Sequence, residues 1–162
     1  MKNEVDLSFD KFNAQIDLEK QRELFKECFP ENDGTSIETD EHYLWKFHSH
    51  PSSPNSYEYI AKIDDNIAGY YAALPYEYII KGNNYSVGMV CDVMTGIKAR
   101  GKGVFTKLGL YSTEMLKNEG LAFTTGYPIR PEVIPGHIKA GWDKVFNLPL
   151  YISFLKVQLL YY

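Results

Sequence analysis

The run Val90-Cys91-Asp92-Val93-Met94-Thr95-Gly96-Ile97-Lys98-Ala99-Arg100-Gly101-Lys102-Gly103-Val104-Phe105 constrains this chain more than any other. An apolar, β-prone stretch enters a short basic loop with Gly101 and Gly103, and Val104, Leu108, Tyr111 and Met115 then recur at helical steps. That order gathers free backbone N–H groups, the positive end of a helix dipole and two cations around one point, which suits a phosphate.

Two kinds of phosphate ligand fit such a loop. Residues Gly96 to Gly103 match the nucleotide-binding P-loop spelling up to its last position, which must be Ser or Thr so that a hydroxyl holds magnesium. Gly103 has no side chain to offer, and the strands before it read as antiparallel, so NTP hydrolysis is disfavoured. The net charge of −4 over 162 residues also argues against a general nucleic-acid binder and leaves a local basic loop for a small anion.

The rest of the chain reads as one packed domain: 44% of its residues are hydrophobic and 15% aromatic. Ser8 to Phe12 is a first strand, Leu18 to Cys28 and Asp40 to Phe47 are helices, and 48–55 break regular structure. A period of two then predicts strands at Tyr57 to Ile63, Ile67 to Ile80 (bent at Pro75) and Tyr85 to Met94, joined by turns at 64–66 and 82–84. After the glycine loop and its helix come a short buried strand, Leu121 to Thr125, and a weak helix, Glu132 to Ala140. Two closing strands follow, Trp142 to Leu148 and Leu150 to Leu160. The lone cysteines, Cys28 and Cys91, are read as reduced and mostly buried. With no signal peptide or apolar run of transmembrane length, the expectation is a cytoplasmic protein with no membrane partner. His48 and His50 have no metal-ligand spacing and read as a solvated loop, so no metal is expected.

The segment Arg100-Gly101-Lys102-Gly103-Val104-Phe105, between strand and helix, resembles motif A of the GNAT acetyltransferase superfamily. The element order is similar to a complete GNAT domain: an α/β (α+β) fold whose mixed, mostly antiparallel central sheet is flanked by helices. Lys139-Ala140-Gly141-Trp142 is similar to the Lys-x-Gly-Phe pattern that begins the family's penultimate strand. Asp92-Val93-Met94-Thr95, Tyr43-Leu44-Trp45-Lys46-Phe47 and Gly69-Tyr70-Tyr71 resemble a bacterial branch associated with surface-polysaccharide genes. The domain is expected to span residues 1–162, alone or as the N-terminal half of a longer architecture.

The resemblance implies acetyl transfer from acetyl-CoA to a primary amine of a small acceptor, such as an amino sugar, by direct attack. The alternative is a GNAT-fold module that binds coenzyme A, or has lost it, and regulates or scaffolds a partner. Val93, Met94 and Thr95 would carry the thioester and pantetheine, and Arg100, Gly101, Lys102, Gly103, Val104, Phe105 and Thr106 the pyrophosphate. Asp92 is the base candidate, with a strand-shaping role as the other reading. His137 stands where the family has a tyrosine acid, and is equally read as packed or solvated; Tyr127 is a third choice. Phe105 departs from a small residue and predicts a looser fit of the helix start. Tyr70, Tyr71, Tyr76 and Tyr78 either line an acceptor cleft or pack the sheet. The apolar end, Leu155 to Tyr162, is expected to pair with a second copy or a further domain.

Overall fold

The computed structural model describes residues 6–149 and Tyr151. Strand β1 (Leu7–Lys11) leads into helix α1 (Ala14–Cys28). The helix begins four residues before the apolar spacing does, because the Asn13 side chain accepts the Gln15 N–H at 3.0 Å and caps it; such a cap is worth about 1 kcal/mol. Helix α2 (Asp40–His48) is capped in the same way by Thr39.

Three long strands follow: β2 (Tyr57–Ile63), β3 (Asn66–Ile80) and β4 (Asn83–Thr95). They form an antiparallel meander with β1 on its outer edge, and β5 (Phe123–Gly126) joins β4 in parallel, giving the order β1-β2-β3-β4-β5. Pairing runs unbroken through Pro75, opposite Gly88, so the expected bend is absent there; the irregularity lies between Tyr70 and Ala72.

Alternation splits the meander into two cores. Tyr57, Tyr59, Ala61, Tyr71, Ala73 and Val90 face helix α3 (Val104–Asn118), which buries Val104, Leu108, Ser112 and Leu116; Tyr111 and Met115 lie at the margin. Ile60, Tyr70, Ala72, Leu74 and Met94 face α1 and α2, against Leu24, Phe25, Tyr43 and Phe47. Tyr70 and Tyr71 are therefore core residues on opposite faces, the sheet-packing alternative for that pair.

The end of the chain departs from expectation. Strand β5 is shorter than the predicted Leu121 to Thr125 and only half-buried, since Leu121 turns into the core under α3. The weak helix is a single 3-10 turn, Pro131–Val133, followed by α4 (Ile134–Lys139), where Pro135 sits in the first turn and disrupts no helical hydrogen bond. The predicted strand Trp142 to Leu148 does not form: residues 143–149 have no regular structure, and Val145, Phe146 and Leu148 are exposed. Its β-prone side chains find no ladder partner among the described residues. The strand predicted from Leu150 to Leu160 lies outside those residues except for Tyr151, as does the proposed pairing surface at Leu155 to Tyr162. Among the described residues no helix is long and apolar enough to cross a membrane.

Candidate active site

Strand β4 stops being an ordinary strand at Asp92. Tyr70 pairs with Met94 but Ala72 with Cys91, so β4 carries one extra residue across from β3, a β-bulge. Asp92 takes the left-handed conformation there, with φ of 48°; aspartate is one of the few side chains that tolerates it. The Asp92 carboxylate is held in place, because Oδ1 accepts a hydrogen bond from Lys46 Nζ of α2 at 2.8 Å. Oδ2 has no partner among the described residues. Nothing in the sequence marks Lys46 as this partner, since it lies 46 residues away.

Parallel pairing of β4 with β5 runs from Val87–Phe123 to Val90–Gly126 and ends there. Past that point Cys91 to Thr95 have no strand beside them on the β5 side among the described residues. This open edge leads directly into the glycine loop. Thr95 Oγ1 is buried without a hydrogen-bond partner among the described residues, while the Thr95 carbonyl accepts from Arg100 Nε at 3.3 Å and from the Cys28 thiol at 3.5 Å. Burial, chiefly, pushes the neighbouring Cys91 thiol up to about 12, so it stays protonated at neutral pH.

The loop itself is an anion cradle. Gly101 and Gly103 have φ of 74° and 77°, and a Cβ on either would meet nothing within 4 Å, so the space above them is open. Gly103 caps α3 without any side-chain hydrogen bond. The N–H groups of Gly101, Gly103, Val104, Phe105 and Thr106 donate to no acceptor among the described residues, whereas Lys102 N–H returns to Ala99 and Lys107 N–H to Gly103. With Arg100 and Lys102 alongside, free donors and the helix dipole converge on one point.

Phe105 does not loosen the start of α3 as anticipated. Its ring turns to α4 and packs on the Gly136 backbone, where an added Cβ would come within 2.7 Å of it. Val104 instead takes the inward place, buried against Gly69. His137 stacks edge-on against Phe105 at 5.0 Å and lies 5.0 Å from the Trp142 ring. Burial lowers its pKa below the ordinary 6.5, so the ring is neutral at pH 7, which favours its packed reading. Trp142 in turn covers Gly126 at the end of β5.

Tyr127 is half exposed just beyond β5, and the neighbouring Tyr78 hydroxyl pushes its phenol up. The Tyr78 hydroxyl lies 3.3 Å from Thr125 Oγ1, and its ring meets Phe123 edge-on at 5.8 Å. Tyr76 and Tyr78 share the sheet face of Tyr70 and Leu74 but extend past the helices, so this end of β3 presents aromatic surface. The structure thus gathers Asp92, Val93 to Thr95 and the 100–106 loop along β4 and its exit. It sets His137 against that loop through Phe105, and Tyr127 with Tyr78. His48 is not a loop residue: it ends α2, with Nε2 3.2 Å from Tyr43 Oη. Among the described residues no cluster of metal-ligating side chains is present.

Solved structures share this architecture. A transcriptional regulator from Bacillus halodurans C-125 superposes with a TM-score of 0.71 at 15% identity, over 91% of this chain and 99% of that one. Glucosamine-6-phosphate N-acetyltransferase from Arabidopsis thaliana gives 0.65 at 17%, over 91% and 99%. The aminoglycoside N-acetyltransferase AAC(6')-Iy in complex with CoA gives 0.70 at 17%, over 94% and 98%. No curated protein gives a significant sequence match. A family model described as acetyltransferase (GNAT) domain matches residues 13–143, and the chain belongs to that family.

Proposed function

We propose that this chain transfers an acetyl group from acetyl-CoA to the primary amine of a small acceptor, an amino sugar. One observation carries the reading: the end of β4, unpaired on the β5 side among the described residues, runs into a loop whose N–H groups find no acceptor among those residues and whose positive-φ glycines suit a pyrophosphate. Bound there, acetyl-CoA supplies an activated thioester. The chain's own residues do the rest. Gly101 to Thr106 hold the pyrophosphate, with charge from Arg100 and Lys102. Val93 to Thr95 carry the pantetheine arm along the edge of β4 that β5 leaves open among the described residues. A main-chain N–H in the Val93–Met94 stretch polarises the carbonyl.

Asp92 Oδ2, without a partner among the described residues while Lys46 holds Oδ1, accepts the proton of the attacking amine as its nitrogen bonds the acetyl carbon, the C–S bond breaks and coenzyme A leaves as the thiolate, to be protonated by water. The exposed rings of Tyr76, Phe123 and Tyr127, with the half-buried Tyr78 against Phe123, support a ring acceptor, because a sugar's C–H face packs on aromatic rings while its hydroxyls reach water. Thiol release from acetyl-CoA in the presence of glucosamine, with glucose as control, tests the reading. Release with the amine alone is expected. Saturable coenzyme A binding without release across an amino-sugar panel would instead mark a binding module.

A further inference from the structure

The last turn of α1 reaches the exit of β4 from the sheet face opposite α3. Residues Ile97–Ala99, between β4 and the glycines, form a single 3-10 turn with Gly96 at its N-cap position. Such a turn leaves its first N–H groups without partners, and a Ser, Thr, Asp or Asn at the N-cap normally supplies the acceptor. Position 96 has no room for one, since a Cβ there would come within 3.3 Å of Leu24 Cδ1. The acceptor comes instead from 70 residues away: the Glu27 carboxylate takes the Ile97 N–H.

Glu27 is the penultimate residue of α1, where a negative charge opposes the helix dipole. Its neighbour Lys26 pairs with Glu38 at 3.3 Å. The position of Glu27 thus disfavours its own helix, while the contact it makes lies outside that helix. Cys28, the next residue, grips the same exit, its thiol donating to the Thr95 carbonyl at 3.5 Å. From the other face, Ala99 is buried with Val104 and Leu108. The turn is therefore pinned from both faces of the sheet. It ends on Arg100, whose N–H returns to the Ile97 carbonyl at 3.2 Å, and Gly101 follows directly.

We propose that Glu27 is a positioning residue for the coenzyme A cradle: it is the acceptor that fixes the 97–99 turn, and through it the direction of the Gly101 to Thr106 N–H groups. The proposal rests on the acetyl-CoA reading of that loop. The oxygen performs the role and the charge does not, because a negative charge held against the same loop repels a pyrophosphate. Removing the charge while keeping the oxygen is harmless or favourable; removing both is not.

Calorimetric titration with coenzyme A of wild type, Glu27→Gln, Glu27→Ala and Glu23→Ala tests this. Glutamine keeps an amide oxygen for the Ile97 N–H, so its dissociation constant should equal or fall below that of wild type. Glu27→Ala should raise the constant at least about fivefold. Glu23→Ala removes an exposed acid one turn earlier and should not weaken binding. With glucosamine as acceptor, the KM for acetyl-CoA should rise in Glu27→Ala while kcat stays within about twofold, since Asp92 is untouched. Amide exchange in the ligand-free protein gives an independent reading: the Ile97 N–H should exchange faster in Glu27→Ala but not in Glu27→Gln. Wild-type affinity in Glu27→Ala, an equal loss in Glu27→Gln, or unchanged Ile97 exchange in Glu27→Ala would overturn the proposal and leave the acetyl-CoA reading intact. No coenzyme A binding in wild type would overturn that reading, and the proposal with it.

Discussion

At the scale of single residues, Phe105 and Gly136 are a matched pair. The aromatic ring occupies the space that a Cβ at position 136 would need. Gly136→Ala should therefore cost about 1–3 kcal/mol by overpacking, outweighing the gain in helix propensity. In a Phe105→Ala background the same change should be neutral or stabilising, and urea denaturation of the four proteins reads the coupling. His137 makes a pH prediction. Its folded pKa lies below the ordinary 6.5, so the unfolded chain takes up the proton first as the pH falls. Its contribution to stability is intact above pH 6.5 and lost as the pH falls through the lowered value. Replacing it by Phe should flatten the urea midpoint between pH 7 and pH 5 relative to wild type.

At the scale of elements, the bulge in β4 combines shape and charge at Asp92, and substitutions separate them. Asp92→Gly keeps the left-handed conformation and should fold, bind coenzyme A and lose most transfer. Asp92→Val cannot adopt φ of 48° without strain and should cost about 1–2 kcal/mol in urea denaturation. If Asp92→Gly retained wild-type turnover, the carboxylate would have no part in proton transfer, and its role would be the strand shape alone. Lys46 supports this element from α2: Lys46→Met should shift the pH profile of turnover while leaving coenzyme A affinity unchanged, because it touches Asp92 and not the cradle.

At the scale of the whole molecule, the legible parts were those encoded by local period. Tyr57, Tyr59 and Ala61 alternate, so their face was readable, and Val104 and Leu108 announced the buried side of α3. The glycine loop was readable because positive φ and close approach restrict which residues can serve. Contacts joining distant segments were not: Lys46 meets Asp92 across 46 residues, and Glu58 collects Tyr43, Tyr70 and Ser56 with no local pattern to mark them. The strand expected at Trp142 to Leu148 failed for the complementary reason, since β-prone composition makes a strand only where an edge receives it. The account as a whole rests on the cradle between β4 and α3, and calorimetric titration with coenzyme A tests it most directly. Wild type should bind one equivalent, in preference to magnesium-ATP. Gly103→Val, which strains the backbone at φ of 77° and fills the open space above it, should weaken binding at least about tenfold, about 1.4 kcal/mol, while remaining folded by circular dichroism. Undiminished binding in that variant, or none in wild type, would contradict the account.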